Sequence, residues 1–140
     1  MTKHAYAQIS GNEENPYLTG KIDFYQRNNN VWVIADIKRL PESPSGFFAL
    51  HIHDGESCDG ENFPNSGTHY NPQNMPHPMH AGDLPPLLSC RGKAYMAVMT
   101  DRFSVDEIIG KAVIIHSGTD DFRTQPSGDA GDKIACGIIH

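Results

Sequence analysis

Leu18-Thr-Gly-Lys-Ile-Asp-Phe-Tyr25, the polar run Asn28-Asn29-Asn30 and Val31-Trp-Val-Ile-Ala-Asp-Ile37 decide the fold class. Apolar residues recur at every second position, and side chains on a strand alternate between its two faces. The segment therefore reads as two strands, each with one face buried, joined as a hairpin whose loop is longer than two residues. Working outward, Ala5 to Ser10 reads as a preceding strand. Pro41-Glu-Ser-Pro-Ser-Gly46 breaks the chain before another, Phe47 to His53. Lys93 to Thr100, Lys111 to His116 and Ile134 to Ile139 complete the set, with a short helical turn around Ser104 to Ile109. Strands this short and frequent predict an all-β sandwich or barrel.

The chain has 140 residues, 38% hydrophobic and 20% charged, which suits one globular domain over residues 1–140 with a core of its own. A formal net charge of −6 disfavours nucleic acid or an anionic membrane as the main partner. No apolar run approaches membrane-spanning length. The signatures of serine hydrolysis (G-x-S-x-G), zinc proteolysis (H-E-x-x-H) and nucleotide binding (G-x-x-x-x-G-K) are absent.

Two segments resist a strand reading. Asp54 to Cys90 is rich in Pro, Gly, Asn and His, and Ser117 to Lys133 is a shorter loop. A loop as long as the first needs a function and something to order it. Six histidines and one aspartate between residues 51 and 116 supply a candidate: His51, His53, His69, His77, His80, Asp83 and His116. His51 and His53, two apart on a strand, project to the same side, while Leu50 and Ile52 point the other way into a core. Singly, each histidine reads as an ordinary surface, loop or half-buried structural residue. Together they exceed what one tetrahedral ion needs. Imidazole nitrogens suit copper and zinc, and a carboxylate at Asp83 adds an oxygen ligand that zinc accepts. Spacing alone does not assign a histidine to an ion. Three cysteines, Cys58, Cys90 and Cys136, permit one disulfide and one leftover thiol, with the pairing open.

Five motifs, in order, resemble those of the copper/zinc superoxide dismutases. They are Leu50-His-Ile-His53, Gly67-Thr-His-Tyr-Asn-Pro72, His80-Ala-Gly-Asp-Leu84, the run from Gly110 through His116 to Asp121, and Gly128-Asp-Ala-Gly131 followed by Ala135-Cys-Gly-Ile-Ile139. The resemblance is weak before Gly46 and strong after it. It implies an eight-stranded, immunoglobulin-like Greek-key β-sandwich or barrel with long metal-binding loops. It implies an oxidoreductase that converts superoxide to dioxygen and hydrogen peroxide. By the same resemblance His51, His53, His69 and His116 bind copper, while His69, His77, His80 and Asp83 bind zinc. His69 bridges the two ions and carries the catalytic proton. Asp120 accepts hydrogen bonds from one histidine at each metal. Cys58 and Cys136 form the disulfide, leaving Cys90 as a small buried hydrophobe.

The chain departs from that pattern in three places. Lys133 stands where the family has an arginine; it keeps the positive charge that attracts an anion but not the planar fork. The loop from Ser117 to Lys133 and the stretch between His77 and His80 are both short. These departures leave open an alternative, a copper- and zinc-binding or copper-delivery module of low turnover on the same scaffold. The family is often dimeric, so a homodimer is a candidate assembly. The compartment reads as cytoplasmic if the chain is complete and exported if a leader was removed.

Overall fold

The computed structural model describes residues 3–140. Its elements are β1 (His4–Gly11), β2 (Thr19–Arg27), β3 (Asn30–Lys38), β4 (Phe47–Phe48), β5 (Leu50–His53), β6 (Leu87–Leu88), β7 (Ala94–Thr100), α1 (Val105–Ile108), β8 (Ala112–His116) and β9 (Lys133–Ile138). Ala49 alone separates β4 from β5, so the nine strands trace eight extended stretches. Seven strands pair in the order β5-β8-β9-β1-β2-β3-β7, every neighbour antiparallel, and β4 pairs with β6. The chain leaves the β1-β2-β3 meander, passes through β4, β5 and β6, and returns beside β3 as β7. That long return is the Greek-key connection expected from the sequence.

Alternation places the core. Ala5, Ala7 and Ile9 of β1, Ile22 and Phe24 of β2, and Val31, Val33, Ala35 and Ile37 of β3 are fully buried in one cluster. Leu50 and Ile52 of β5 and Val113 and Ile115 of β8 join it from the other side of the curled sheet. Each fully buried Ile or Phe contributes about 1.5–3 kcal/mol relative to exposure. The opposite faces of β8 and β9 are buried too, although they face away from this cluster. Ala112, Ile114 and Cys136 pack with Phe63 of the long loop, so the loop roofs that side of the sheet.

Three expectations are corrected. Arg27 pairs with Asn30, so the β2–β3 loop is the two residues Asn28 and Asn29 rather than a longer one. Asn28 takes φ 56°, a left-handed conformation that asparagine tolerates and that closes a tight hairpin. The stretch read as lacking strands contains β6, two residues long and therefore without a readable period. Cys90 is exposed, not buried. It lies in the turn before β7, where its peptide pairs with that of Lys93.

Candidate metal centre

The site lies on the loop-covered face of β5 and β8. Strand pairing sets the first three candidate ligands. His51 lies opposite Ile114 and His53 opposite Ala112, and His116 ends β8 where the pairing with β9 shifts register. The other edge of β5 has no strand neighbour and is closed by the long loop itself. Tyr70 N–H donates to Ile52 O at 2.8 Å, Ile52 N–H to Gly82 O at 2.8 Å, and Gly82 N–H to Tyr70 O at 2.9 Å. These bonds set His69 beside His53 and Asp83 beside His51 as bridge partners. Residues 69 and 83, far apart in sequence, thus reach the strand that carries the His-x-His pair.

The imidazole nitrogens of His51, His53, His69 and His116 lie within 4.8 Å of one another, and so do ligand atoms of His51, His69, His77 and Asp83. His80 joins the second group by direct contacts: its Nδ1 lies 3.2 Å from His69 Nδ1 and 3.3 Å from Asp83 Oδ1. His69 Nδ1 is 2.9 Å from Asp83 Oδ1, and His77 Nδ1 is 3.0 Å from Asp83 Oδ2. All six rings are buried, with at most 7% exposure. His51 and His69 belong to both groups; His69 Nδ1 lies against His80 and Asp83, and its Nε2 has no hydrogen-bond partner.

For His51, His53, His77 and His116 the hydrogen bonds fix which ring nitrogen carries a lone pair. Asp120, itself 3% exposed, accepts from His51 Nε2–H and from His77 Nε2–H, each at 2.8 Å. His53 Nδ1–H donates to Gly67 O at 2.9 Å, and His116 Nδ1–H to Gly131 O at 3.3 Å. The nitrogens opposite these donors, His51 Nδ1, His77 Nδ1, His53 Nε2 and His116 Nε2, are buried without a hydrogen-bond partner, as is His69 Nε2. A buried polar atom left unpaired costs about 1–3 kcal/mol. Five such atoms spread over the two groups make a ligand set for cations. Four nitrogens suit tetragonal Cu(II), and three nitrogens with a carboxylate suit tetrahedral Zn(II).

Electrostatics favour the same use. Burial pushes His53 down to about 2 and His116 down to about 3. It also lowers His51 and His80. The rings are therefore neutral, the form that binds metal. Burial opposes ionisation of Asp120, but hydrogen bonds from His51, His77 and the Phe122 N–H outweigh it and hold the carboxyl well below its usual range. Asp83 is held low in the same way by His69, His77 and His80 against the effect of burial.

Two further features frame the site. Cys58 and Cys136 are joined, with Cα atoms 5.8 Å apart, tying the long loop to β9. Lys133 Nζ donates to Ser66 Oγ at 2.7 Å and to Gly67 O at 3.2 Å, and burial lowers its pKa. Gly67 O thus receives both Lys133 and His53, placing the ammonium beside one ligand ring.

Some supporting residues were not read from the sequence. Gly128 has φ +73°, and a Cβ there would lie 2.1 Å from Asp120 Oδ1 and 2.5 Å from His77 Nε2. Only glycine lets the second loop close over that hydrogen bond. The signal existed, since Gly128 was quoted within a motif, but its contact partner depends on the folded loop. Gln125 and Arg102, which hold the main chain around His77 and His80, carried no signal at all.

Comparison with known proteins accords with this geometry. Residues 18–139 match the family model described as copper/zinc superoxide dismutase. A Cu-Zn superoxide dismutase of Legionella pneumophila is 35% identical over 132 residues, 89% of this chain and 79% of that protein. The Cu-Zn superoxide dismutase of Escherichia coli (strain K12) is 36% identical over 137 residues, 86% and 78% of the respective chains. The Cu-Zn superoxide dismutase 2 of Aquifex aeolicus (strain VF5) is 31% identical over 150 residues, 96% and 85% of the two chains. The match spans the strands that carry the histidines and both loops that close over them, and the chain belongs to the copper/zinc superoxide dismutase family.

Proposed function

We propose that this protein dismutates superoxide, converting two superoxide anions and two protons into dioxygen and hydrogen peroxide. The observation that carries this is the set of five buried imidazole nitrogens without hydrogen-bond partners, spread over two groups that share His51 and His69. His51 Nδ1 and the Nε2 atoms of His53, His69 and His116 would hold copper. The Nδ1 atoms of His69, His77 and His80, with Asp83, would hold zinc. When bound, copper supplies reversible one-electron chemistry and zinc a fixed positive charge.

The protein's own groups do the rest. His69 Nε2 is the atom suited to take a proton from solvent and give it to the peroxide product. Its Nδ1 side, set against His80 and Asp83, keeps the ring from turning during that exchange. Asp120 fixes the rings of His51 and His77, and the Gly67 and Gly131 carbonyls fix those of His53 and His116. Lys133 supplies positive potential to an anion in a chain of net charge −6. Its three acceptors are all uncharged oxygens, so its charge is not cancelled by a bonded carboxylate. The copper-delivery alternative is less well supported, because delivery requires ligands within a partner protein's reach and these rings are at most 7% exposed.

Pulse radiolysis of the copper- and zinc-loaded protein tests the proposal. His116→Ala is expected to lower the rate of superoxide decay by more than about a hundredfold, beyond the 10–100-fold typical of losing an outer partner. An unchanged rate in this variant, or in His53→Ala, would overturn it.

A further inference from the structure

We infer that Gln125 and Arg102 are positioning residues that brace the zinc-side ligands His77 and His80 from outside; this rests on the zinc assignment proposed above. The two ligands sit three residues apart on a short stretch with Pro78 between them. The stretch has little structure of its own: Met79 N–H reaches Pro76 O at 2.7 Å, and His80 N–H reaches the Asp83 carboxylate at 3.0 Å. His80 O accepts from Asp83 N–H at 3.0 Å, while the main-chain groups of His77 and the Pro78 carbonyl are held by side chains from two separate elements.

Gln125 treats His77 as a strand neighbour would. Its Oε1 accepts from His77 N–H at 2.9 Å, and its Nε2 donates to His77 O at 2.8 Å. The same Nε2 also reaches Arg123 O at 3.0 Å, which fixes the amide to its own loop. That loop also carries Asp120, which holds the His77 ring through Nε2. The peptide and the ring of His77 are therefore gripped by two side chains of one loop, five positions apart. Main-chain position and ring direction are set together, leaving Nδ1 aimed at Asp83.

Arg102 holds the other end. Its Nη1 donates to Pro78 O at 2.7 Å and His80 O at 3.3 Å. Proline has no N–H, so its carbonyl is the only hydrogen-bonding group that Pro78 offers, and Arg102 takes it. Arg102 comes from the turn between β7 and α1, with its own N–H on Thr100 Oγ1 at 3.2 Å. Neither residue packs in the core, and both are exposed. They hold the direction of a ligand, which bears on metal affinity more than on fold stability.

The test is equilibrium binding of Zn(II), and of Co(II) as a coloured substitute, to the full chain in competition with a chelator at 25 °C. Gln125→Ala and Arg102→Met are each expected to weaken binding by about tenfold or more, with altered visible Co(II) bands, while the thermal midpoint of the metal-free protein moves little. Gln125→Glu keeps the acceptor for His77 N–H but sets an anionic oxygen against His77 O, so it is expected to resemble Gln125→Ala. Arg102→Lys restores one donor and part of the affinity. Affinities within twofold of the parent in Gln125→Ala and Arg102→Met, with unchanged Co(II) spectra, would overturn the inference. So would a loss of thermal stability without a loss of affinity. A parent protein that binds neither ion at these residues would instead overturn the zinc assignment, and the bracing role with it.

Discussion

The β1–β2–β3 meander and the loop-built side of the molecule are stabilised in different ways. In the meander, nine consecutive Cα pairs join β2 to β3, and Ile22, Phe24, Val31, Val33, Ala35 and Ile37 enter the apolar core at alternate positions. The two loop segments hold one strand, the two-residue β6, and isolated pairings along β5. Their order comes from a disulfide, buried imidazoles, two carboxylates and side chains bonded to main chain. Local pattern suffices for the first side. The second is ordered by contacts between residues distant in sequence, which is where a site needing several chain segments has to be built.

The largest expected effect falls on the loop side. Cys58→Ser removes a crosslink spanning 78 residues. On a chain-entropy basis it costs about 4–5 kcal/mol, read as a lowered denaturant midpoint. Amide exchange is expected to rise first in residues 54–86 and last in β2 and β3. Equal loss of protection in both regions would erase the distinction between them. The counterpart in the meander is Ile22→Ala, a fully buried side chain. It is expected to cost about 2–5 kcal/mol while leaving the metal content of the folded protein unchanged by elemental analysis. Next comes Asp120→Asn, which preserves shape but loses a carboxylate held by two rings. Affinity for copper and for zinc is expected to fall together by about 10–100-fold in metal titrations. A loss confined to one metal would show that Asp120 does not join the two groups.

A separate effect is graded by pH and concerns the metal-free protein. His53 at about 2 and His116 at about 3 lie below the ordinary 6.5. Below pH 6.5 the unfolded chain therefore binds protons that the folded rings refuse. Stability is expected to decline as pH falls from about 6.5 towards about 3. Asp83 and Asp120, both held low, add stability that is present above their unfolded values and lost as pH falls through the folded ones. Thermal midpoints measured from pH 8 to pH 4 check this; a flat profile below pH 6 would contradict it.

Much of the fold was legible because alternation is a local property. Ile22 and Phe24 set against Val33 and Ala35 predict both strands and the face they bury. His51 and His53 were legible for the same reason, since their common side follows from the pleat. The length of the β2–β3 loop was not, because it depends on one backbone angle at Asn28. Cys90 was misplaced because its burial depends on the turn before β7 and not on the character of a thiol. The grouping of His69, His77, His80 and Asp83 entered through resemblance; nothing in their spacing reveals that 68–70 and 82–84 lie along the free edge of β5. Gln125 and Arg102 were invisible, because an amide or a guanidinium bonded to a distant peptide leaves no periodic trace.

The double grip of Asp120 has a thermodynamic consequence. On the proposed assignment one carboxylate would hold His51 for copper and His77 for zinc, so filling either half would restrict a ring that the other half depends on. The two occupancies are linked, and by reciprocity each ion must alter the affinity of the other by the same factor. Loading is then a cooperative event, in which the first cation to arrive lowers the entropic cost of ordering the site for the second.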